Sequence, residues 1–457
     1  MPERQSVLQH LGGQQEGARR RENFAVSNNK RPKNWDVGFR MKKWWAVGVF
    51  FVGMVSACGT TFAQELGQGD GVMDRARPEY DAKGLPLGGF RLFPVLDGTA
   101  GYDDNILRQQ SAPDIINSIF FKEDGSLMLR SNWGRHELDL FGGADTVQYL
   151  DLSSENNTNW NVGGNGRLDI ARGSSLTAST TYATEHEPRT SPNQPSFAAK
   201  PTQFTDLNSQ AALDYHPYHF DFMVGGSYDR KVYDPTAVNA PGTPINNTDR
   251  DEDVYNVFAK AAYEFSPGYA AFFKVNYNDR AFDLLLDRNG LNRASNGFEY
   301  TGGLDLMLSH LLKGELFFGY LDQKFKSPLP NVSGVDFGAN LDWYATELFT
   351  VHLTASRTVA DTTVAGTSAL DTRQGGISFD WEVARNIIVQ GNFGYTDMKF
   401  TGITRDDQIT DAGIGAKYLL NRYMSADVKY RFERRSTNVT GQNYNDNLVT
   451  VGLTLHL

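Results

Sequence analysis

From Phe90 to Leu457 the chain repeats one pattern, apolar and polar side chains taking turns at every second position. Over 135–146, Leu138, Leu140, Gly142 and Ala144 fall on one face and Glu137, Asp139 and Asp145 on the other. Over 268–280, Ala271, Phe273, Val275 and Tyr277 alternate with Lys274, Asn276 and Asn278. Over 422–433, Met424, Ala426, Val428, Tyr430 and Phe432 alternate with Asp427, Lys429, Arg431 and Glu433. A period of two is that of a strand with unlike faces. The pattern predicts about eighteen strands, a number set by its repeats and by the span each strand needs. They start near 90, 117, 135, 158, 174, 203, 219, 252, 268, 296, 312, 333, 347, 369, 385, 406, 422 and 444.

The connections alternate as well. Short turns are expected at Asn132–Arg135, Gly173-Ser174, Pro217-Tyr218, Pro267-Gly268, Leu311-Leu312, Ala384-Arg385 and Asn421-Arg422. Longer polar loops lie between them, over 188–202, 234–251, 283–296, 361–368 and 436–444. This asymmetry belongs to outer-membrane barrels, with tight periplasmic turns and longer outer loops. It predicts periplasmic N- and C-termini and so an even strand number. A soluble sandwich would also alternate. However, a sheet this wide has open edges unless it closes, and in lipid every backbone group must find a partner. Aromatics near the predicted strand ends suit two interfacial girdles: Trp133, Tyr149, Trp160, Tyr215, Tyr228, Tyr269, Tyr320, Trp343, Trp381, Tyr395 and Tyr430. The expected fold is therefore all-β, a transmembrane antiparallel up-and-down β-barrel of about eighteen strands over 89–457.

The first residues read differently. Met41-Lys42-Lys43 precedes an uncharged apolar run, Trp44 to Ala57, which is the layout of a secretory signal and too short for a spanning helix. Signal peptidase cleavage after Thr61-Phe62-Ala63 defines a signal peptide over 41–63. A lipobox, Val55-Ser56-Ala57-Cys58, is the competing reading and would place a lipid on Cys58. Residues 1–40 are polar and Arg-rich without periodicity, and read as an extension from a start codon placed too early. Residues 64–88 are polar and Gly-rich, and read as a flexible periplasmic segment.

Composition narrows the function. One Cys in 457 residues excludes a disulfide framework and Cys-based metal clusters. The net charge is −10, and residues 1–63 hold ten Lys/Arg against four Asp/Glu, so the exported part is more acidic still. Nucleic acid is thereby disfavoured as a partner. The 45 Gly, 29 Phe and 20 Tyr suit a β-protein with many turns and ring-lined faces.

A barrel of this size encloses an aqueous channel unless loops fill it. The polar face of the strands supplies its lining. Acidic candidates are Glu137, Asp139, Asp145, Asp169, Asp214, Asp305, Asp342 and Asp427. Basic candidates are Arg130, Arg167, Lys260, Lys274, Lys417, Lys429 and Arg431, and His352 is a further lining candidate in mid-strand. In the last strand Val449, Val451, Leu453, Leu455 and Leu457 alternate with polar residues up to the final position. That pattern resembles the signal read by the barrel-assembly machinery, although such signals more often end in Phe.

Tyr102-Asp103-Asp104-Asn105 closes the first strand after Phe93-Pro94-Val95 and Gly98-Thr99-Ala100-Gly101. A strand like Ser126–Trp133 and a turn with Arg135-His136 follow. These features resemble the opening of the Putative β-barrel porin 2 family, and the likeness extends over about 88–457. The resemblance implies an outer-membrane barrel without catalytic residues; several relatives look linked to exopolysaccharide or capsule export.

The remaining chemistry is sparse. His216 and His219 stand three apart at a turn with no third ligand nearby in sequence, and no metal or cofactor is expected. Asp103-Asp104 and the run Asp249–Asp253 offer oxygen ligands suited to a divalent cation such as calcium, but read rather as solvated acidic loops. No nucleophile elbow, Walker loop or dinucleotide fingerprint sits in a strand-to-helix setting. The chain is too short for a plug domain plus 22 strands. The expected function is non-enzymatic: a water-filled passage for hydrophilic solutes, including an exopolysaccharide conduit. The alternative is a closed-lumen structural or binding barrel, or an outer-membrane hydrolase. Expected partners are outer-membrane lipid and lipopolysaccharide, the barrel-assembly machinery and polysaccharide export components.

Overall fold

The computed structural model describes residues 71–457 apart from 112–113, 196, 239–241 and 309–310. The expected N-terminal extension, signal peptide and Cys58 lie outside the described residues. Among the described residues nineteen strands form one sheet. The first, β1 (Leu85–Leu87), is a three-residue strand paired to the next and was not expected from the sequence. The wall then runs β2 (Phe90–Asp103), β3 (Ser118–Ser131), β4 (Glu137–Tyr149), β5 (Asn157–Ala171), β6 (Ser174–His186), β7 (Gln203–Tyr215), β8 (Phe220–Tyr233), β9 (Glu252–Ser266) and β10 (Tyr269–Phe282). It continues with β11 (Ser295–Leu308), β12 (Leu312–Phe325), β13 (Val332–Thr346), β14 (Phe349–Ala360), β15 (Ala369–Ala384), β16 (Ile387–Thr401), β17 (Asp406–Asn421), β18 (Met424–Thr437) and β19 (Tyr444–His456). Each start expected from the alternation lies within two residues of one of these.

Every strand from β2 to β19 pairs antiparallel with its neighbours in sequence, and β19 pairs with β2 from Leu448↔Asp103 to His456↔Val95. The eighteen-stranded wall is therefore closed and has no free edge. Followed once round the ring, the paired positions return to β2 about 22 residues further along it. That stagger tilts the strands by roughly 40° and sets a backbone-to-backbone diameter of roughly 36 Å.

The two faces differ as the alternation requires. The outward face carries the exposed large apolar residues, among them Leu96, Phe121, Leu140, Val162, Val224, Phe273, Phe318, Ile414, Val428 and Val451. Outward aromatics cluster near both ends of the wall. Phe220, Tyr263, Trp343 and Trp381 lie towards the short turns, and Trp160, Tyr182, Tyr228, Tyr255, Tyr320 and Tyr395 towards the long loops. Several pair across strands, Tyr228 with Tyr255 at 5.1 Å and Tyr277 with Phe298 at 4.8 Å between ring centroids. Tyr149 departs from the expected girdle: its position in β4 puts it on the inner face, against Phe120 at 5.5 Å. The five residues of the expected terminal signal, Val449, Val451, Leu453, Leu455 and Leu457, are all exposed on the outer face.

Inside, phenylalanine rings lie over cross-strand glycines, as Phe141 does over Gly163 and Phe272 over Gly303. A Cβ at Gly163 would come within 2.6 Å of the Phe141 ring. This is one reason that so many strand positions are glycine, since ring and side chain cannot share the space.

Candidate functional site

The inner face has three zones along the barrel axis. On β17 the inward positions Asp407 and Ile409 are buried, Asp411, Gly413 and Gly415 are partly exposed, and Lys417 and Leu419 are buried again. On β3 the sequence is the same: Ser118 and Phe120 buried, Lys122, Asp124 and Ser126 partly exposed, Met128 and Arg130 buried. A polar middle band is thus partly exposed to the lumen, and other parts of the chain cover the wall at each end.

All sixteen lining candidates take inward positions in the strand register. Most are held in ion pairs along the wall. Arg130 meets Asp139 at 3.4 Å, Arg167 meets Asp169 at 2.9 Å and Lys122 meets Asp145 at 3.5 Å. Lys260 bridges Asp305 (3.0 Å) and Glu315 (2.7 Å), and its ammonium lies 4.0 Å from the centre of the Phe272 ring. Glu137 faces Arg167 across β4 and β5, and Lys417 faces Asp427 across β17 and β18. Lys274 lies 5.4 Å from the Phe258 ring, Lys429 meets Asp427 at 3.0 Å, and Arg431 meets Asp446 at 3.1 Å. Lys429 keeps 39 % of its side chain exposed although it points inward. His352 sits between Asp342 (2.6 Å) and Asp380 (3.0 Å). Both ring nitrogens face carboxylates, leaving neither to activate a hydroxyl.

At the long-loop end, hairpins fold across the bore. Asn193, in the loop after β6, accepts hydrogen bonds from Thr362 Oγ1 (2.8 Å) and Thr363 N–H (3.0 Å), in the loop after β14. These two hairpins stand on nearly opposite sides of the ring. Arg293 ties the same β14 loop to the one after β10. It donates to the carbonyls of Thr362, Thr367 (3.0 Å) and Val364 (3.4 Å), and to Asp287 (2.7 Å). Arg250 donates twice to Glu187, at 2.9 and 2.6 Å, and lies 3.8 Å over the Tyr233 ring. Arg288 donates to Asp249 at 2.6 and 2.8 Å. Burial pushes the Asp249 carboxyl up, but the bonds from Arg288 outweigh it and hold it below the usual range. At Asp287 burial is likewise outweighed, by the Leu291 N–H and by Arg293. Beneath the loops the wall carries an inward apolar group, Leu321, Phe325, Val332, Leu370, Met398, Phe400 and Ile409, beside buried polar residues such as Asp407 and Gln323.

At the short-turn end the cover is the N-terminal segment. Sequence reading expects 64–88 to be a flexible periplasmic stretch; residues 71–84 instead pack on the inner wall in defined contacts. Val72 is fully buried against Ile388 and Leu419, and its N–H donates to Thr350 Oγ1 at 3.0 Å. Arg77 donates to Glu382 at 2.6 Å, both side chains at most 7 % exposed, and to the Val72 carbonyl at 2.7 Å. Arg75 lies 3.6 Å from the same carboxylate. The segment leaves along the seam, where Gly84 N–H donates to the Leu457 carbonyl at 3.2 Å before β1 begins.

The Tyr102-Asp103-Asp104-Asn105 run closes that seam at the other end. Tyr102 faces outward. Asp103 is buried, accepts from the Asn105 N–H (2.9 Å) and meets Arg108 at 3.1 Å; Arg108 also reaches Asp446 on the last strand at 2.9 Å. Asp104 accepts from the backbone and the side chain of Asn447, both at 2.7 Å, and Asn105 donates to the Asn445 carbonyl at 2.9 Å. Three consecutive residues thus join the first strand of the wall to the last.

Sequence reasoning missed the residues that build the two covers: Arg77, Glu187, Arg250, Arg293 and Glu382. Glu382 and Glu315 were open to the same alternation argument that found their neighbours. The loop arginines carried no signal, because their partners lie on other hairpins.

A closed wall with an apolar outer face, aromatic ends and a polar, partly exposed interior defines a porin-like β-barrel of the outer membrane. The chain belongs to the family described as Putative beta-barrel porin 2, whose model matches residues 77–457. Among solved structures the chain is similar to OpdO of Pseudomonas aeruginosa, at 13 % identity over 80 % of this chain and 97 % of that one, with a TM-score of 0.39. It is also similar to OccK2 (OpdF) of the same organism in complex with glucuronate, at 11 % identity over 81 % and 99 %, TM-score 0.43. A third likeness is to an R480A mutant of the ferric enterobactin receptor PfeA of P. aeruginosa, at 8 % identity over 80 % and 81 %, TM-score 0.45. No curated protein matches the chain.

Proposed function

We propose that this barrel is a non-enzymatic, water-filled passage for small hydrophilic solutes, narrowed at each end. The observation that carries the reading is the partly exposed polar band in the middle of the inner face, with Lys429 the clearest member. The sixteen inward titratable residues are its lining. Acidic and basic groups are mixed round the wall, which produces transverse fields without a single-sign filter. The long loops face the cell surface among lipopolysaccharide; the short turns and both termini lie on the periplasmic side. The exposed Val449–Leu457 row is the surface that the barrel-assembly machinery reads.

Polysaccharide export is the finer reading that the resemblance implies. A polymer strand would have to thread both covers, so this role requires them to move aside together. A closed-lumen barrel is the rival outcome. Liposome swelling with sugars of graded size separates the three. Entry of small sugars alone supports the passage, entry of long oligosaccharides supports the conduit, and no swelling by a folded protein supports the closed barrel.

A further inference from the structure

At the short-turn end, between β7 and β8, three ligand-type side chains converge, one of them the lining residue Asp214. Asp214 takes an inward position on β7, Asp221 does so on β8, and His216 is in the turn between them. Their ligand atoms all lie within 4.8 Å of one another. His216 Nδ1 stands 3.3 Å from Asp214 Oδ1 and 2.9 Å from Asp221 Oδ1. The turn is fixed from outside, since the His216 N–H donates to the Gly173 carbonyl at 2.7 Å. Gly173 has φ +74°, and a Cβ there would press on the His216 carbonyl at 2.8 Å.

A second observation sets this cluster apart from an ordinary acidic turn. Asp214 is 3 % exposed, yet neither of its oxygens accepts a hydrogen bond. A buried carboxylate without donors is costly, and a second carboxylate beside it adds repulsion. The nearby guanidinium, Arg167 on β5, is engaged by Asp169 at 2.9 Å. A cation placed among the three would satisfy what the protein leaves open.

We propose that Asp214, His216 and Asp221 form a binding site for a divalent transition-metal ion of the zinc type. One imidazole and two carboxylates are a borderline-hard donor set that suits such an ion. Donor atoms about 2 Å from a common tetrahedral ion stand roughly 3.3 Å apart. The 3.3 and 2.9 Å separations at His216 Nδ1 fit that spacing with small adjustment. Three protein ligands leave a fourth position for water on the lumen side. The ion would clip the ends of β7 and β8 together, independently of whether the barrel conducts.

The test is calorimetric titration of zinc chloride into the full chain, folded in detergent and stripped with EDTA, with cobalt(II) absorbance reporting geometry. The expected result is saturable uptake of one ion per chain and a tetrahedral cobalt spectrum. Asp214→Asn and His216→Ala should each weaken uptake at least about tenfold, since even the loss of an outer-shell partner costs that much. His219→Ala should leave it unchanged, because that side chain is 70 % exposed and outside the cluster. Heat-modifiable migration on a gel identifies variants that fold. The proposal is overturned if the parent chain shows no one-to-one uptake, or if folded Asp214→Asn binds as the parent does. Should neither substituted chain fold, the parent's stoichiometry and cobalt spectrum decide alone.

Discussion

Glu382→Gln should free the N-terminal segment from the barrel mouth. Glu382 is the only acidic partner drawn to both Arg75 and Arg77 among the described contacts, at 3.6 and 2.6 Å. Removing one member of a buried ion pair costs about 3–5 kcal/mol, because the other charge stays buried without compensation. An amide of the same shape keeps one acceptor, which places the cost near the lower bound, about 3 kcal/mol. Around Arg75 the contacts that then remain include the buried Val72 side chain, worth about 1.5–3 kcal/mol, and its N–H bond to Thr350, worth about 1 kcal/mol. The lost contribution is comparable to what remains, and a loss of about 3 kcal/mol raises the undocked population roughly 150-fold. Tryptic cleavage after Arg75 in the folded barrel reads that population, provided docking is fast relative to cutting; Arg77 precedes Pro78 and is not a tryptic site. Cleavage should accelerate by about two orders of magnitude. A folded Glu382→Gln protein cleaved within about threefold of the parent rate would refute the assignment of this ion pair as the main anchor.

Arg293→Met should loosen the loop after β14, since Thr362, Val364 and Thr367 lose their shared donor; hydrogen exchange over 361–368 should rise at least tenfold, given about 1–3 kcal/mol per unsatisfied buried group. The loop layer should withstand pH 5–8 and loosen in stronger acid. The folded carboxyl groups of Asp249 and Asp287 lie below their usual range, so their contribution is full above about pH 4 and fades as pH falls through the folded values. Hydrogen exchange over 283–294 at pH 7 and pH 3 checks this. Asp104→Ala removes two bonds from the seam and should lower stability by about 1–3 kcal/mol, measured by urea titration of the folded barrel in detergent. Leu453→Arg, on the outer face, should cost about 2–4 kcal/mol in a bilayer if this position lies near the midplane. The inward Thr450→Arg should cost less in the same refolding assay.

The wall was legible because one physical rule governs it. Hydrocarbon outside and water inside impose a period of two on every strand, so β2, β12 or β19 could each be located within two residues. Tyr149 escaped because an aromatic at a strand end satisfies either face, and only register decides. The inward apolar group around Phe400 and Leu370 also breaks the rule, since loops rather than water cover it. Contacts between distant parts of the chain were not legible. Nothing local marks Asn193 as a partner of Thr362, or Arg77 of Glu382. His216 was seen, but its ligand set depends on the turn bringing Asp214 and Asp221 to it.

The central claim is that water runs through this wall once its covers yield. Single-channel recording in planar bilayers, on the parent chain and on one lacking residues 71–84, tests it most directly. The account predicts discrete unitary steps that are larger or more frequent without the segment. Folded, inserted protein that carries no current in either form would contradict it.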